Sequence, residues 1–530
     1  MNGMPLRVQD RTENEDELMN EKTKRILSAL LAALTVSSTL ALASCSGEKK
    51  PGDDTSAPSV TSGGDTSAPD TTEPETTQDP ATLDELPTDM KDYEGYEFVV
   101  LSHDHNAGAI AWKVVDIYTE DETGERINDA VFARNLMMEE RFGVKVKDNL
   151  QADPMTPARQ AAMSSDDYTL LQTTVQNQSG LVLQGYLLDM AKFEYINLDK
   201  AWWDNSANSS LAIAGRYYYA IGDSQLNAKK ATWAVLFNKK LAADANLPDL
   251  YAEVDNGTWT IDSLRKYGQA IENDVNGDGQ MKWGEDVFGL GIQNEVVLPL
   301  MLGTGEKIVK MNPDGTYEYN LGSETNMNAL ERIWNFINTD NSFILNCNKY
   351  DGMTNQWIEF RNLFMADQIG FYMGHLGTVT LVGGDMQSDF GILPFPKVLE
   401  DQEGYYSTFQ YNNAHAVSAL KSTQNTKRTG LLTEAYEMFS HTTVLPAYYD
   451  YTLTLRSARD TESGRMLDII FNHRNLDVSL AFNSQTSMQT LLQSAGTTSS
   501  FTFASTEASK RKAFQTNIDK VINAVLNLGD

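Results

Sequence analysis

The 530-residue sequence predicts an α/β protein folded as two lobes, on three observations. Its length exceeds what one core serves, since cores stop growing near ~250–300 residues and longer chains divide into domains. From residue 98 a strand, a helix and a second strand follow one another, the order of a parallel βαβ unit. Strand and helix patterns then keep alternating toward the C-terminus.

The first strand is read from "YEFVVLS", where Phe98 to Leu101 form an apolar run. The helix after it takes Asn128 as N-cap, shows Val131, Phe132, Leu136 and Phe142 on its apolar side, and stops at Gly143. "VKV", Val144 to Val146, is the second strand. "WAVLFNKK" reads as a strand running into a helix and "TWTIDSLRKYGQAIEN" as a capped helix. "DVFGLGI", "QIGFYMG" and "FGILPFP" read as strands. Residues 506–528 form an amphipathic helix with Phe514, Ile518, Val521, Ile522 and Val525 on one side.

The N-terminus carries a different message. Lys22, Lys24 and Arg25 precede the apolar run "ILSALLAALTVSSTLALA", the form of an export signal over residues 1–44, with Met19 as an alternative start. The run ends in Leu42-Ala43-Ser44-Cys45, which resembles a bacterial lipobox, so Cys45 is the expected lipidation site. Residues 45–92 are rich in Ser, Thr, Pro and Asp and nearly free of aromatics, the composition of a disordered tether. These features predict a lipid-anchored protein on the extracellular face of a bacterial cytoplasmic membrane. With Cys45 lipidated, no second cysteine is left for a disulfide, and Cys347 reads as a buried small hydrophobe.

Acidic residues number 73 against 42 basic ones, a net charge of -31, which repels nucleic acid. Enzyme signatures are missing: no G-x-S-x-G, no H-E-x-x-H, no G-x-x-x-x-G-K-[ST]. The strongest local motif is "DVNGDGQMKWGE". Asp274, Asn276 and Asp278 stand at calcium-loop positions one, three and five, Gly279 at six, the Gln280 carbonyl at seven and Glu285 at twelve. A strand-like segment follows it where an EF-hand would place a second helix. The expectation is therefore a structural Ca2+ clip, with Lys282 at position nine adding no oxygen.

Several segments in order, "GRYYYAIGDSQLNAKKATWAVLFNKKLA", "NGTWTIDSL", the calcium-like loop, "FRNLFMADQIGFYMGHLG" and "DFGILPFPK", together resemble the bacterial extracellular solute-binding proteins of carbohydrate ABC importers. Maltose-binding protein is a distant relative in that family. The resemblance covers roughly residues 93–530. It implies a two-lobed periplasmic-binding-protein-like fold (type II), with hinge strands and a ligand cleft between the lobes. The N-terminal lobe would take residues 93–222 plus 391–445, and the C-terminal lobe 230–385 plus 450–530. It also implies a monomer that closes over an oligosaccharide and presents it to membrane permease subunits, with no chemistry of its own.

A sugar needs flat aromatic faces and side chains that donate and accept hydrogen bonds. Loops that the resemblance places at the cleft supply His103, Asp104, Gln176, Asn177, Trp202, Trp203, Asp204, Asp223, Gln225, His375, Tyr405, Tyr406, Tyr411 and Asn412 as candidates. A long insertion at residues 102–127 departs from maltose-binding protein. Other readings stay open at this point: a binding protein for peptide or another polar solute, a surface adhesin or sensor of the same fold, and, more remotely, a secreted glycosidase.

Overall fold

A computed structural model describes Leu86 and residues 93–104, 111–350, 352–454 and 461–528. The export signal, Cys45 and the expected tether, apart from Leu86, lie outside these residues. Leu86 is buried and its carbonyl accepts from Arg141 at 3.0 Å, so this one residue of the expected tether belongs to the folded part.

The apolar runs become strands, except that the second strand begins at Lys145 and extends past the expected Val144–Val146 to Gln151, through half-buried polar residues. Strand β1 (Glu97–His103) pairs in parallel with β2 (Lys145–Gln151) and β3 (Leu170–Thr174), and β11 (His415–Ser418) adds antiparallel to β3. The helix Arg126–Phe142 makes the β1-to-β2 crossover and ends at Gly143 in the left-handed conformation. Its face differs from the sequence reading. Val131, Arg134, Met138 and Phe142 are buried, whereas Leu136 is 44% exposed. Arg134 takes an inward position because the Tyr436 ring lies 4.1 Å from its guanidinium and two carbonyls accept from it. Asn128 does not cap the helix; its side chain ties Thr119 and the Asp121 carbonyl of the preceding loop.

A second sheet has the order β10, β4, β9, β5, β8. Here β5 (Phe288–Ile292), β8 (Ile344–Asn346) and β9 (Ile369–His375) are parallel, while β4 (Trp233–Asn238) pairs antiparallel with both β9 and β10 (Phe390–Leu393). A short hairpin, β6 (Val309–Met311) with β7 (Tyr317–Tyr319), stands apart. The helix Ile261–Ile271 opens with a Thr260–Ser263 capping box and packs on β5. That contact is very close: a Cβ at Gly289 would stand 2.0 Å from the Gly268 carbonyl oxygen.

The chain crosses between sheets from Ala220, which bridges Val417, to β4, and returns between β10 and β11. Thr232 bridges Phe409, tying the two crossings together. Residues 221–238 are buried throughout. Two lobe boundaries shift from the expectation. β10 hydrogen-bonds to β4, so the stretch from 391 begins in the second lobe. The helix Val444–Thr454 packs on Arg126–Phe142 of the first lobe, and the second lobe resumes with Thr461–Asn472 against β10.

Candidate functional site

In parallel α/β sheets, ligands bind beyond the carboxyl ends of the strands. Those ends are His103, Gln151 and Thr174 in the first lobe and Ile292, Asn346 and His375 in the second. A link between the two sets comes from the insertion after β1. Buried Asp116 accepts from Gln172 Nε2 at 3.1 Å and from the Leu226 amide at 2.7 Å, which pins this segment against β3 and the crossing chain. Trp112 is thereby held with its carbonyl accepting from Asn227 at 2.8 Å. Its ring centre lies 4.5 Å from that of His375, and the imidazole also meets Trp233 edge-on at 6.4 Å.

Burial, aided by the charge of Arg361, lowers the His375 pKa to about 3. The imidazole is therefore neutral at neutral pH, one nitrogen a donor and the other an acceptor. Its Nδ1 meets no hydrogen-bond partner among the described residues. Across the second lobe, carboxamides gather beside β8. Asn346 donates to Asn294 at 3.0 Å, Asn348 accepts from the Asn294 amide at 2.8 Å, and a cavity of about 230 Å³ is lined by these three with Asn338, Asn341 and Lys349.

Behind the strand ends lies a buried charged network on the crossing chain. Asp223 pairs with Lys229 at 3.2 Å and His441 at 2.7 Å. Two carboxylates of the helix Thr426–Thr442 clamp the segments that feed it. Glu434 accepts from both Trp202 and Trp203 Nε1 at 3.0 Å, and Glu437 accepts from the Ser224 amide, the Ser224 hydroxyl and Gln225. Burial pushes both carboxyls up to about 7. Arg474 joins Asp204 of the first lobe, at 3.2 Å, to the Thr232 hydroxyl of the crossing, at 2.9 Å.

The sequence-predicted residues divide accordingly. His375 stands at the strand ends, as do half-buried His103 and exposed Asp104. Gln176 reaches the Leu480 carbonyl at 3.2 Å and Gln489 at 3.1 Å, while Asn177 bonds back to Thr173. Tyr406 is half-buried and Asn412 exposed. Seven others are buried or already engaged by protein partners. Trp202 and Trp203, 4% and 3% exposed, offer no free ring face because their indoles are drawn inward to Glu434. Asp223 and Gln225 are consumed in the buried network, Asp204 caps a helix and pairs with Arg474, and Tyr405 and Tyr411 are buried. Tyr411 accepts from the Asp477 amide. The sequence reading missed Trp112 and the asparagines around β8. A lone tryptophan inside an insertion was the available signal for the first; nothing in the spacing of the asparagines marked the second.

The calcium-like loop is turned by its own side chains. Asp274 accepts from the Gly277 and Gly279 amides, Asn276 from Asp278, and Asp278 from Gln280, while an Asn273–Val287 bridge closes the base. The Lys282 ammonium contacts Asp278 and lies 3.9 Å from Glu285, holding the Asp278 carboxyl below its ordinary range. Among the described residues no group of three or more His, Cys, Asp or Glu side chains is gathered to hold a metal ion. The donor types fit a hard cation, and the turn is in place, but Lys282 stands among the carboxylates.

No family model and no curated protein matches the chain. Solved structures do. A sugar transporter from Rhizobium etli in an open conformation is 13% identical, with 81% of this chain and 99% of that chain covered at a TM-score of 0.52. The maltose/maltodextrin-binding domain MalE from Bdellovibrio bacteriovorus, bound to maltotriose, is 14% identical over 81% and 100% at 0.50. The cyclic alpha-maltosyl-1,6-maltose binding protein from Arthrobacter globiformis is 13% identical over 82% and 99% at 0.50. The fold is that of two-lobed solute-binding proteins. No described helix is long and apolar enough to cross a membrane.

Proposed function

We propose that the protein is the substrate-capturing subunit of a carbohydrate ABC importer and binds an oligosaccharide between its lobes without transforming it. The observation that carries this reading is the contact of Trp112, from the first lobe, with the neutral His375 at the strand ends of the second. An indole face beside a group that both donates and accepts is what a sugar ring with its C–H face and hydroxyls requires. The asparagines beside β8 extend the same chemistry. Solved structures of this fold, a MalE domain bound to maltotriose and a cyclic alpha-maltosyl-1,6-maltose binding protein, support the ligand class. Thermal unfolding against a panel of mono- and oligosaccharides tests it. One glycan class should raise the midpoint by several degrees, and Trp112→Ala or His375→Ala should abolish the shift. A flat sugar panel with a response to peptides would sink the carbohydrate reading.

The proposal includes a monomer anchored through a lipid on Cys45 at the outer face of the cytoplasmic membrane, supported by the lipobox-like sequence. It also includes a structural Ca2+ on Asp274, Asn276, Asp278, the Gln280 carbonyl and Glu285, in exchange for Lys282. Asp274 already accepts from Gly279, position six to position one of such a loop.

A further inference from the structure

A cavity of about 580 Å³ lies between the turn after the helix Asn205–Leu211, the β6–β7 hairpin and the segment 476–478. It is separate from the strand-end face. Residues 217–222 pair antiparallel with β11 through Ala220 and Val417, and β11 is antiparallel to β3. The 217–222 segment therefore runs parallel to β3, which puts the cavity residue Tyr217 toward that strand's N-terminal end. His103 and Thr174 mark the opposite ends of β1 and β3.

Its chemistry centres on Lys307. The ammonium donates to the Ser210 hydroxyl at 3.1 Å and to the Leu476 carbonyl, both neutral. Among the described residues it forms no ion pair. Asp477, the carboxylate whose charge it feels, spends its oxygens on the amides of Ile308, Val309 and Ser479 and on the Ser479 hydroxyl. Burial accordingly disfavours the charged form of Lys307 and lowers its pKa. A largely desolvated ammonium held only by neutral oxygens, beside open space, is completed by an anion. In a chain of net charge -31 this is local chemistry against the overall field. Around it stand Ser209 and Asn312 as hydrogen-bonding groups and the rings of Tyr217 and Tyr317 as flat faces. The volume falls within the range of about 300–1,000 Å³ that small-molecule sites occupy.

We infer that this cavity is a second ligand site that takes a small sugar acid, its carboxylate on Lys307 Nζ and its hydroxyls toward Ser209 and Asn312. The site does not depend on the reading of the strand-end face. Calorimetric titration of the full-length protein with sodium glucuronate, glucose and sodium acetate tests it. Glucuronate should bind at least tenfold more tightly than glucose or acetate. Lys307→Met should weaken it more than tenfold, and Ser209→Trp, which fills the cavity from its exposed rim, should abolish binding. His375→Ala should leave it unchanged. Absence of glucuronate binding, wild-type binding by Lys307→Met, or loss in His375→Ala overturns the inference. Thermal unfolding of each variant checks its fold; should Lys307→Met not fold, Ser209→Trp decides. Neutral oligosaccharide titrated in the same series separates the two sites. Its binding without glucuronate removes the second site alone, and glucuronate binding without it removes the proposed function alone.

Discussion

At the scale of single residues, Glu434 and Glu437 make the stability of the protein depend on pH. Both carboxyls stand at about 7 in the folded chain against 4.5 in the unfolded one. Between these values the folded state holds more protons than the unfolded state, so stability falls as pH rises and levels off above about 7. Each group contributes up to roughly 3 kcal/mol to that decline, at about 1.4 kcal/mol per unit. Unfolding midpoints measured from pH 5 to 8 should fall, and Glu434→Gln should flatten part of the slope; an unchanged slope would remove Glu434 from the account. The same carboxylate decides the role of two tryptophans. Trp202→Phe or Trp203→Phe removes one of its donors in a buried setting and should cost about 1–3 kcal/mol, with ligand affinity unchanged. Affinity lost in parallel with normal stability would return these rings to the ligand site. From sequence, "AWWDN" looked like a sugar platform because aromatic pairs beside an acid read alike whether they face a ligand or a core. The deciding partner lies more than two hundred residues away, on the helix Thr426–Thr442.

At the scale of elements, legibility followed period and length. β1, β4, β5, β9 and β10 were readable as apolar runs, and the Ile261–Ile271 helix as a capped amphipathic stretch. The hairpin β6–β7 and strand β8 were not, since three residues each carry no period. The helix Thr426–Thr442 was missed for the opposite reason: Thr429 to His441 are all buried, so no face alternates, and its polar residues serve the network instead of solvent. One packing contact shows how tightly a legible element is set. The Ile261–Ile271 helix touches β5 backbone to backbone through Gly268 and Gly289. Gly289→Ala forces these elements apart and should destabilise by about 1–3 kcal/mol, read from chemical denaturation. A neutral result would mean the helix shifts freely. The loop between these same elements carries the calcium proposal. Chelation should lower the unfolding midpoint and leave sugar affinity nearly unchanged, whereas a midpoint indifferent to both calcium and chelator would remove the cation.

At the scale of the whole molecule, two lobes were expected from length and α/β order, and the sheets follow that plan, yet their separation is incomplete. One apolar cluster contains Leu101 and Leu171 of the first sheet together with Val235 and Leu290 of the second. The crossing chain between them is buried from residue 221 to 238. Arg474 adds a charged tie, its guanidinium on Asp204 and Thr232 and its flanks against Phe409 and Phe471. Unfolding one lobe would expose this shared apolar surface and leave Asp204 without its cation, so each lobe raises the cost of opening the other. Calorimetry of the ligand-free protein should therefore show one unfolding peak. A sugar bound at a hundred times its dissociation constant should move that peak as a whole, adding about 2.7 kcal/mol. Arg474→Met, which removes the tie but not the fold of either sheet, should broaden or split the transition. Two resolved peaks in the unaltered protein, only one of them moved by sugar, would show instead that the lobes are energetically independent and that the buried crossing does not couple them.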